Sequence, residues 1–291
     1  MSVQPNKIFL IDAYGLCYRA YYAVKGLTNS KGQATNAVFG FCNILRKLLI
    51  DLKPTHLAAC FDVGKKTYRH DKFVEYKAQR QAMPDDLISQ IKIIRDMLEA
   101  YNIPILELEG YEADDVMASV AAKYAGPKSE VIIVTEDKDM GQVIKAHVNL
   151  YSARQEKFIG ANEVKEKFGV RPDQIVDYIA IAGDASDNIP GIDGIGDVGA
   201  RKLLEEFGTL ENIYKNVDQV KGDKLKEKLR AGKESAFLSQ ELATLHPQVD
   251  FKATLDELAI REPDRPKLLR LYQDLEFKRF AQELEAGGSP A

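Results

Sequence analysis

"EVIIVTED", residues 130–137, sets five apolar or β-branched residues between acidic ends. The run shows no alternation of period two, the pattern of a strand buried on both faces of a parallel sheet. Three other runs read the same way: "KIFLID" (7–12), "THLAACFD" (55–62) and "IPILELE" (103–109). Between the last two, residues 85–101 carry Leu87, Ile91, Ile94 and Leu98 at helical spacing, with Pro84 just before the first turn. Strands alternating with amphipathic segments predict an α/β domain with a mostly parallel sheet and crossover helices. From about residue 171 the chain changes to short helical patterns broken by Gly, Pro and Asn, among them "RPDQIVDYIAIAG" and "DVGARKLLEEFG". A compact helical region appended to the sheet domain is expected there.

The 291 residues, 45% of them hydrophobic, suffice for a large globular domain or a main domain with a smaller one. No apolar run reaches the ~18 residues of a membrane span, and the start "MSVQPNKIFLID" lacks a secretory pattern, so the expected compartment is the cytoplasm. Cys17, Cys42 and Cys60 sit apart among apolar neighbours and read as buried free thiols. With four histidines and no Cys/His cluster, zinc is disfavoured and any metal would be held by oxygen.

Acids collect where the strands end. Asp12 closes the first run, Asp62 the second, the third leads into Glu112, Asp114 and Asp115, and the fourth reaches Asp137 and Asp139. "GDASDN" adds Asp184 and Asp187. Ligand sites in open parallel sheets lie at the carboxyl ends of the strands. A helix dipole favours one such acid by ~0.3–1 kcal/mol, enough to explain any single group. Two carboxylates ~4 Å apart repel by roughly 4 kcal/mol at an effective dielectric near 20, so recurrence along one edge calls for cations. Hard divalent ions suit an all-oxygen site, and a pair of them activates water against a phosphodiester. The net charge of −4 includes −9 from these acids, which leaves +5 for the remainder. Two stretches, 65–80 and 221–233, each hold six Lys/Arg against two acids.

"GIDGIGDVGARKLL" (191–204) contains a formal G-x-G-x-x-G, but turn residues rather than a strand precede it, so a dinucleotide site is disfavoured. A Gly-rich turn whose amides grip a phosphate before a helix is the alternative, with Arg201 and Lys202 following. A plain tight turn between helices stays open on this stretch alone.

Taken together, "LIDAYGLCYRAYYA", "FDVGKKTYRH", "EYKAQR", "GYEADDVMAS", "TEDKDMGQ", "GDASDNIPGIDGIGDVGARKLL" and "LATLHPQVD" resemble, in order and spacing, the 5′ nuclease domain of bacterial DNA polymerase I and the flap endonuclease family. The resemblance covers roughly residues 7–280. It implies a PIN-like α/β domain over residues 1–170 with a helical arch at about 63–95. A helical DNA-binding region with a helix-three-turn-helix module would follow over 171–284, then a flexible tail over 285–291.

The implied activity is metal-dependent hydrolysis of DNA or RNA-primer phosphodiesters near a 5′-flap/duplex junction, in replication and repair. Asp12, Asp62, Glu112, Asp114, Asp115, Asp137, Asp139, Asp184 and Asp187 match the family's metal-site acids. Arg19, Lys77 and Arg80 match residues that orient the scissile phosphate, and Lys65, Lys66, Arg69, Gly194, Gly196, Arg201 and Lys202 fall on DNA-contacting positions. Two or more Mg²⁺ ions, with Mn²⁺ as a substitute, and K⁺ at the Gly-rich turn are the implied cofactors. The implied partner is flapped or RNA-primed double-stranded DNA, met by a monomer working in the bacterial cytoplasm, alone or with a polymerase. Where the family carries Gly-Glu-Lys-Thr-Ala, this chain has Gly196, Asp197, Val198, Gly199 and Ala200, and Glu136 stands where a small residue is usual. Two rivals remain, a DNA-binding module that no longer cuts and an RNA-directed PIN-type ribonuclease. The full acid set opposes the first and the Gly-rich turn the second.

Overall fold

The computed structural model describes residues 5–64 and 66–287. Its strands are β1 (Asn6–Asp12), β2 (His56–Cys60), β3 (Ile105–Leu106), β4 (Ser129–Val134), β5 (Val148–Ser152) and β6 (Lys157–Ile159). They form one sheet in the order β3-β2-β1-β4-β5-β6, parallel throughout except for the antiparallel β5–β6 pair. Strand order reverses beside β1, whose Asp12 end opens the crevice in which such sheets place their ligands. Side chains of the central strands alternate between two cores. Ile8, Leu10, Val131 and Ile133 face one and Phe9, Ile11, Ile132 and Val134 the other, all buried. That two-sided burial is why these runs lack a polar face.

The helices α1 (Ala13–Ala23), α2 (Asn36–Lys47), α3 (Tyr68–Lys72), α4 (Asp85–Ala100), α5 (Ala113–Tyr124) and α6 (Ala161–Phe168) belong to the first half. Then come α7 (Ile175–Ala182), α8 (Asp197–Phe207), α9 (Leu210–Lys215), α10 (Asp223–Ala231), α11 (Lys233–Ala243), α12 (Leu255–Leu258), α13 (Arg265–Asp274) and α14 (Lys278–Glu285). The core that holds Ile8 and Leu10 continues through α5 into α7, α8 and α11, so sheet and helical region share apolar contacts.

Two expectations are corrected. Residues 171–284 are not one appended unit, because Leu268, Tyr272, Phe280 and Leu284 of α13 and α14 return to the opposite core with α1, α2 and α4. An arch cannot extend to residue 95 either, since Leu87, Ile94 and Leu98 make α4 a buried core helix. What remains between residues 66 and 84 is a short strap. All three cysteines are buried free thiols, and no described helix is long and apolar enough to cross a membrane.

Candidate metal centre and DNA-facing turn

Asp12 is both the last residue of β1 and the N-cap of α1; its Oδ1 accepts from Gly15 N at 2.9 Å and its Oδ2 from Thr135 Oγ1 at 3.0 Å. Asp62 follows β2 and accepts from Ala113 N, at the start of α5, at 2.7 Å. These two acids, with Asp114, Asp137, Lys77, Arg80, Tyr14 and Tyr18, line a cleft of about 250 Å³. Burial, and the charges of Asp137 and Asp62, push the Asp12 carboxyl up to about 6. Asp114 is held well above the usual carboxylate range by burial and by Asp137 and Asp12.

A second group surrounds Asp139. It is buried, its Oδ1 has no hydrogen-bond partner, and burial together with Asp137, Asp184 and Asp187 pushes it up to about 8. Asp184 is also buried, which by itself would raise its carboxyl, but Ser186 N and Oγ at 2.8 and 2.7 Å and Lys138 Nζ at 3.0 Å hold it below the usual value.

The strap lies directly on the acids. Lys77 sits in the left-handed region (φ 54°), donates its backbone N–H to Asp187 O at 2.9 Å and places Nζ 3.0 Å from Glu112 Oε2 and 3.5 Å from Asp187 Oδ2. Arg80 Nη2 reaches Asp187 Oδ1 at 2.6 Å, and Tyr76 Oη donates to Glu112 and Asp187. Gln79 Nε2 donates to Ala185 O and Asn188 Nδ2 to Glu75 O, which fastens the strap to the 184–188 loop. Among the described residues no three acidic, His or Cys side chains already stand close enough to clasp one ion. The donor set nevertheless fits hard divalent cations: the oxygens are all carboxylate, several carboxyls are destabilised by one another, and one buried oxygen is orphaned.

Two expected roles are corrected here. Asp115 is fully buried and both its oxygens are taken: Arg69 Nη1 and Nη2 bind them at 2.8 and 2.9 Å, His246 N donates to Oδ1 at 2.9 Å and Glu112 N to Oδ2 at 3.1 Å. No lone pair is left for a metal. Arg69 is 1% exposed, so it cannot reach DNA. Lys66 is exposed just before α3, and Lys65 lies outside the described residues. Arg19 points to Glu136 Oε1 at 2.9 Å, and Glu136 also accepts from Ser152 Oγ and Arg154 N. Glu136 lines the cleft rim with its charge committed to those partners.

The Gly-rich stretch is a turn before α8. Gly194 and Gly196 are exposed, and Gly196 caps α8 without a side chain, which leaves first-turn amides open. Gly191 (φ 65°) packs on Gly183 so tightly that a Cβ there would lie 2.3 Å from Gly183 N. Lys202 is exposed, whereas Arg201 is half-buried with its guanidinium over the Tyr178 ring. The turn follows no strand, so the dinucleotide reading has no support in the fold.

A family model described as "5′-3′ exonuclease, N-terminal resolvase-like domain" matches residues 7–169, and one described as "5′-3′ exonuclease, C-terminal SAM fold" matches residues 170–266. The chain belongs to the 5′-3′ exonuclease family. It is 42% identical over 289 residues to DNA polymerase I of Bacillus caldotenax, covering 98% of this chain but 33% of the polymerase. Thus the chain spans about a third of the length of such polymerase relatives. It is 37% identical to a 5′-3′ exonuclease of Aquifex aeolicus, covering 96% of this chain and 95% of that one. The fold is shared with the bacteriophage T5 D15 flap endonuclease in complex with DNA and metal ions (TM-score 0.71, 20% identity, 97% and 98% covered). It is also shared with the catalytic core of Rad2 in complex with DNA substrate (TM-score 0.64, 18% identity, 97% and 91% covered).

For this member of the 5′-3′ exonuclease family, sequence reading passed over Lys138, Tyr76 and Thr135. Lys138 stands inside the quoted acidic run and Tyr76 beside Lys77, so proximity to those motifs was the available signal. The departures in the Gly-rich stretch also have structural partners. A Cβ on Gly199 would lie 2.8 Å from Ile195 Cγ2, so a larger residue there would have to push that side-chain methyl aside. Val198 is 66% exposed, and Lys228 from α10 donates to Gly194 O at 2.8 Å, bringing a cation to the turn from another helix.

Proposed function

We propose that the chain is a divalent-metal-dependent 5′ nuclease that hydrolyses DNA, and RNA primers on DNA, at junctions between a 5′ single strand and a duplex. The observation carrying this reading is the cleft in which Asp12, Asp62, Asp114 and Asp137 from separate strand ends face Lys77 and Arg80 on a strap. Those four acids, with Glu112, Asp139, Asp184 and Asp187 around them, would hold two or more Mg²⁺ ions, for which Mn²⁺ can substitute. Bound there, such ions supply an activated water and neutralise charge on the phosphate oxygens.

The protein's own residues position the strand. Arg80, 52% exposed in its side chain, makes the first contact with a phosphate, and Lys77 meets it from inside the cleft. The amides at the start of α8, with Lys202 and Lys228, hold the duplex backbone without reading bases. Lys228 already serves the Gly194 carbonyl, so K⁺ at this turn would have to take other carbonyls, away from that ammonium. The enzyme acts as a monomer in the cytoplasm, alone or joined to a polymerase; sedimentation equilibrium at twice the chain mass would refute the monomer.

Cleavage of a 5′-flapped duplex with Mg²⁺, with EDTA, and by Asp12→Asn tests the proposal. Mg²⁺-dependent cutting that falls by about a thousandfold or more in the variant is expected for a lost ligand. Cutting that persists in EDTA, or is unchanged in the variant, would overturn it. Single-stranded RNA cut in preference to the flap would instead favour a ribonuclease.

A further inference from the structure

Arg69 joins three parts of the molecule that the sequence keeps far apart. It belongs to α3 at the root of the strap and forks onto Asp115 in the first turn of α5 with Nη1 and Nη2. The same guanidinium donates Nε to Leu242 O at 2.9 Å and Nη2 to Thr244 O at 3.0 Å, just where α11 ends. Asp115 completes the joint from its side by accepting from His246 N. Burial alone would push the guanidinium down, but the bond to Asp115 and the charges of Glu112 and Asp115 hold it up.

Both ends of this joint lead to working parts. Eight residues after Arg69 comes Lys77, whose place depends on where the strap is rooted. α11 in turn carries Ser239, whose Oγ accepts from Gly191 N, and Ser235, whose Oγ donates to Gly191 O, at the base of the Gly-rich turn. A single planar group thus sets the strap cations relative to the acids and to the helices around the turn. Such a fork cannot be replaced by an ammonium without losing the geometry.

We infer that Arg69 and Asp115 are a positioning pair, which holds the strap in register with the metal-site acids and the duplex-holding helices and touches neither metal nor DNA. This rests on the nuclease reading for its catalytic consequence, while its structural half is measurable without any activity. In the full chain, Arg69→Lys and Asp115→Asn should speed hydrogen exchange at the Lys77 and Arg80 amides by about tenfold or more while β4 amides keep their protection. Equal loss at β4 would reduce the pair to global stability and overturn the inference, as would no change at Lys77.

Mn²⁺ titrated into the protein alone separates ligand from positioner. Asp115→Asn should bind within about threefold of the parent, whereas Asp114→Asn should lose about tenfold or more. Equal losses would return Asp115 to the ligands. On flapped DNA, Arg69→Lys should lower kcat by about a hundredfold with KM changed by about threefold at most, the cost of misplacing a catalytic group by ~1 Å. Added to Lys77→Ala it should cause no further loss, because it acts through Lys77. Additive losses, or an unchanged kcat, would overturn the pair's catalytic role. A parent chain that does not cut flaps would instead refute the nuclease reading, leaving exchange and Mn²⁺ binding to decide on the pair.

Discussion

Asp114 and Asp115 are neighbours with opposite tasks. A residue on a helix start turns by ~100° from the one before it, so Asp115 falls on the face of Glu112 while Asp114 looks towards Asp12 and Asp137. Asp115 gains five donors and full burial; Asp114 gains repulsion. Removing the charge of Asp114 should therefore stabilise the metal-free protein. Asp114→Asn is expected to raise the midpoint of thermal unfolding in EDTA by ~2–4 °C, the size of about 1 kcal/mol in a chain of this length, while abolishing metal-dependent cleavage. An unchanged or lower midpoint would show that the cluster is not strained. Gly191 presents the contrary case. Its positive φ and the 2.3 Å approach to Gly183 N leave no room for a methyl group. Gly191→Ala should cost ~2 kcal/mol or more through strain and displacement of the turn, read as a lower urea midpoint with unchanged slope.

At the scale of elements, the first turn of α8 carries an exposed Val198 where a cation would face a phosphate. Val198→Lys should tighten duplex binding and steepen its salt dependence by about one unit of log K per log salt, equally for unrelated sequences. A slope left unchanged would mean the turn does not meet the backbone. β1, β2 and β4 were legible because burial on both faces leaves an uninterrupted apolar run, and β3, though only Ile105–Leu106 pair at the sheet edge, lies within the apolar stretch 103–109. β5 and β6 escaped because "VNLYS" and "KFI" are short and mixed, and a β5–β6 pair at the sheet edge needs no such run. The apolar spacing of α13 and α14 is helical, but spacing does not say which core a helix joins, and these return to the sheet. Likewise, the other eight acids are ligands only as proposed, whereas the fate of Asp115 depended on Arg69, 46 positions away and invisible to any local pattern.

The whole molecule stores its least favourable charges at one edge, and pH should reveal it. Asp12 and Asp139 ionise in the unfolded chain near 3.8 but in the folded one at about 6 and about 8. Between those values the folded state binds more protons than the unfolded, so stability falls as pH rises. Each tenfold gain in proton affinity on folding is worth about 1.4 kcal/mol, so the two carboxyls together cost several kcal/mol by about pH 8. In EDTA the unfolding midpoint should drop from about pH 5 to about pH 8, and Mg²⁺ should cancel most of that drop. A midpoint insensitive to both would contradict the clustering. Elsewhere the fold is chemically quiet. Burial pushes the thiols of Cys17, Cys42 and Cys60 far from reactivity, so the native protein offers thiol reagents no target among its described residues. A lone cysteine placed at Val198 would then take up a fluorophore by itself and report, turn by turn, when a duplex settles and leaves.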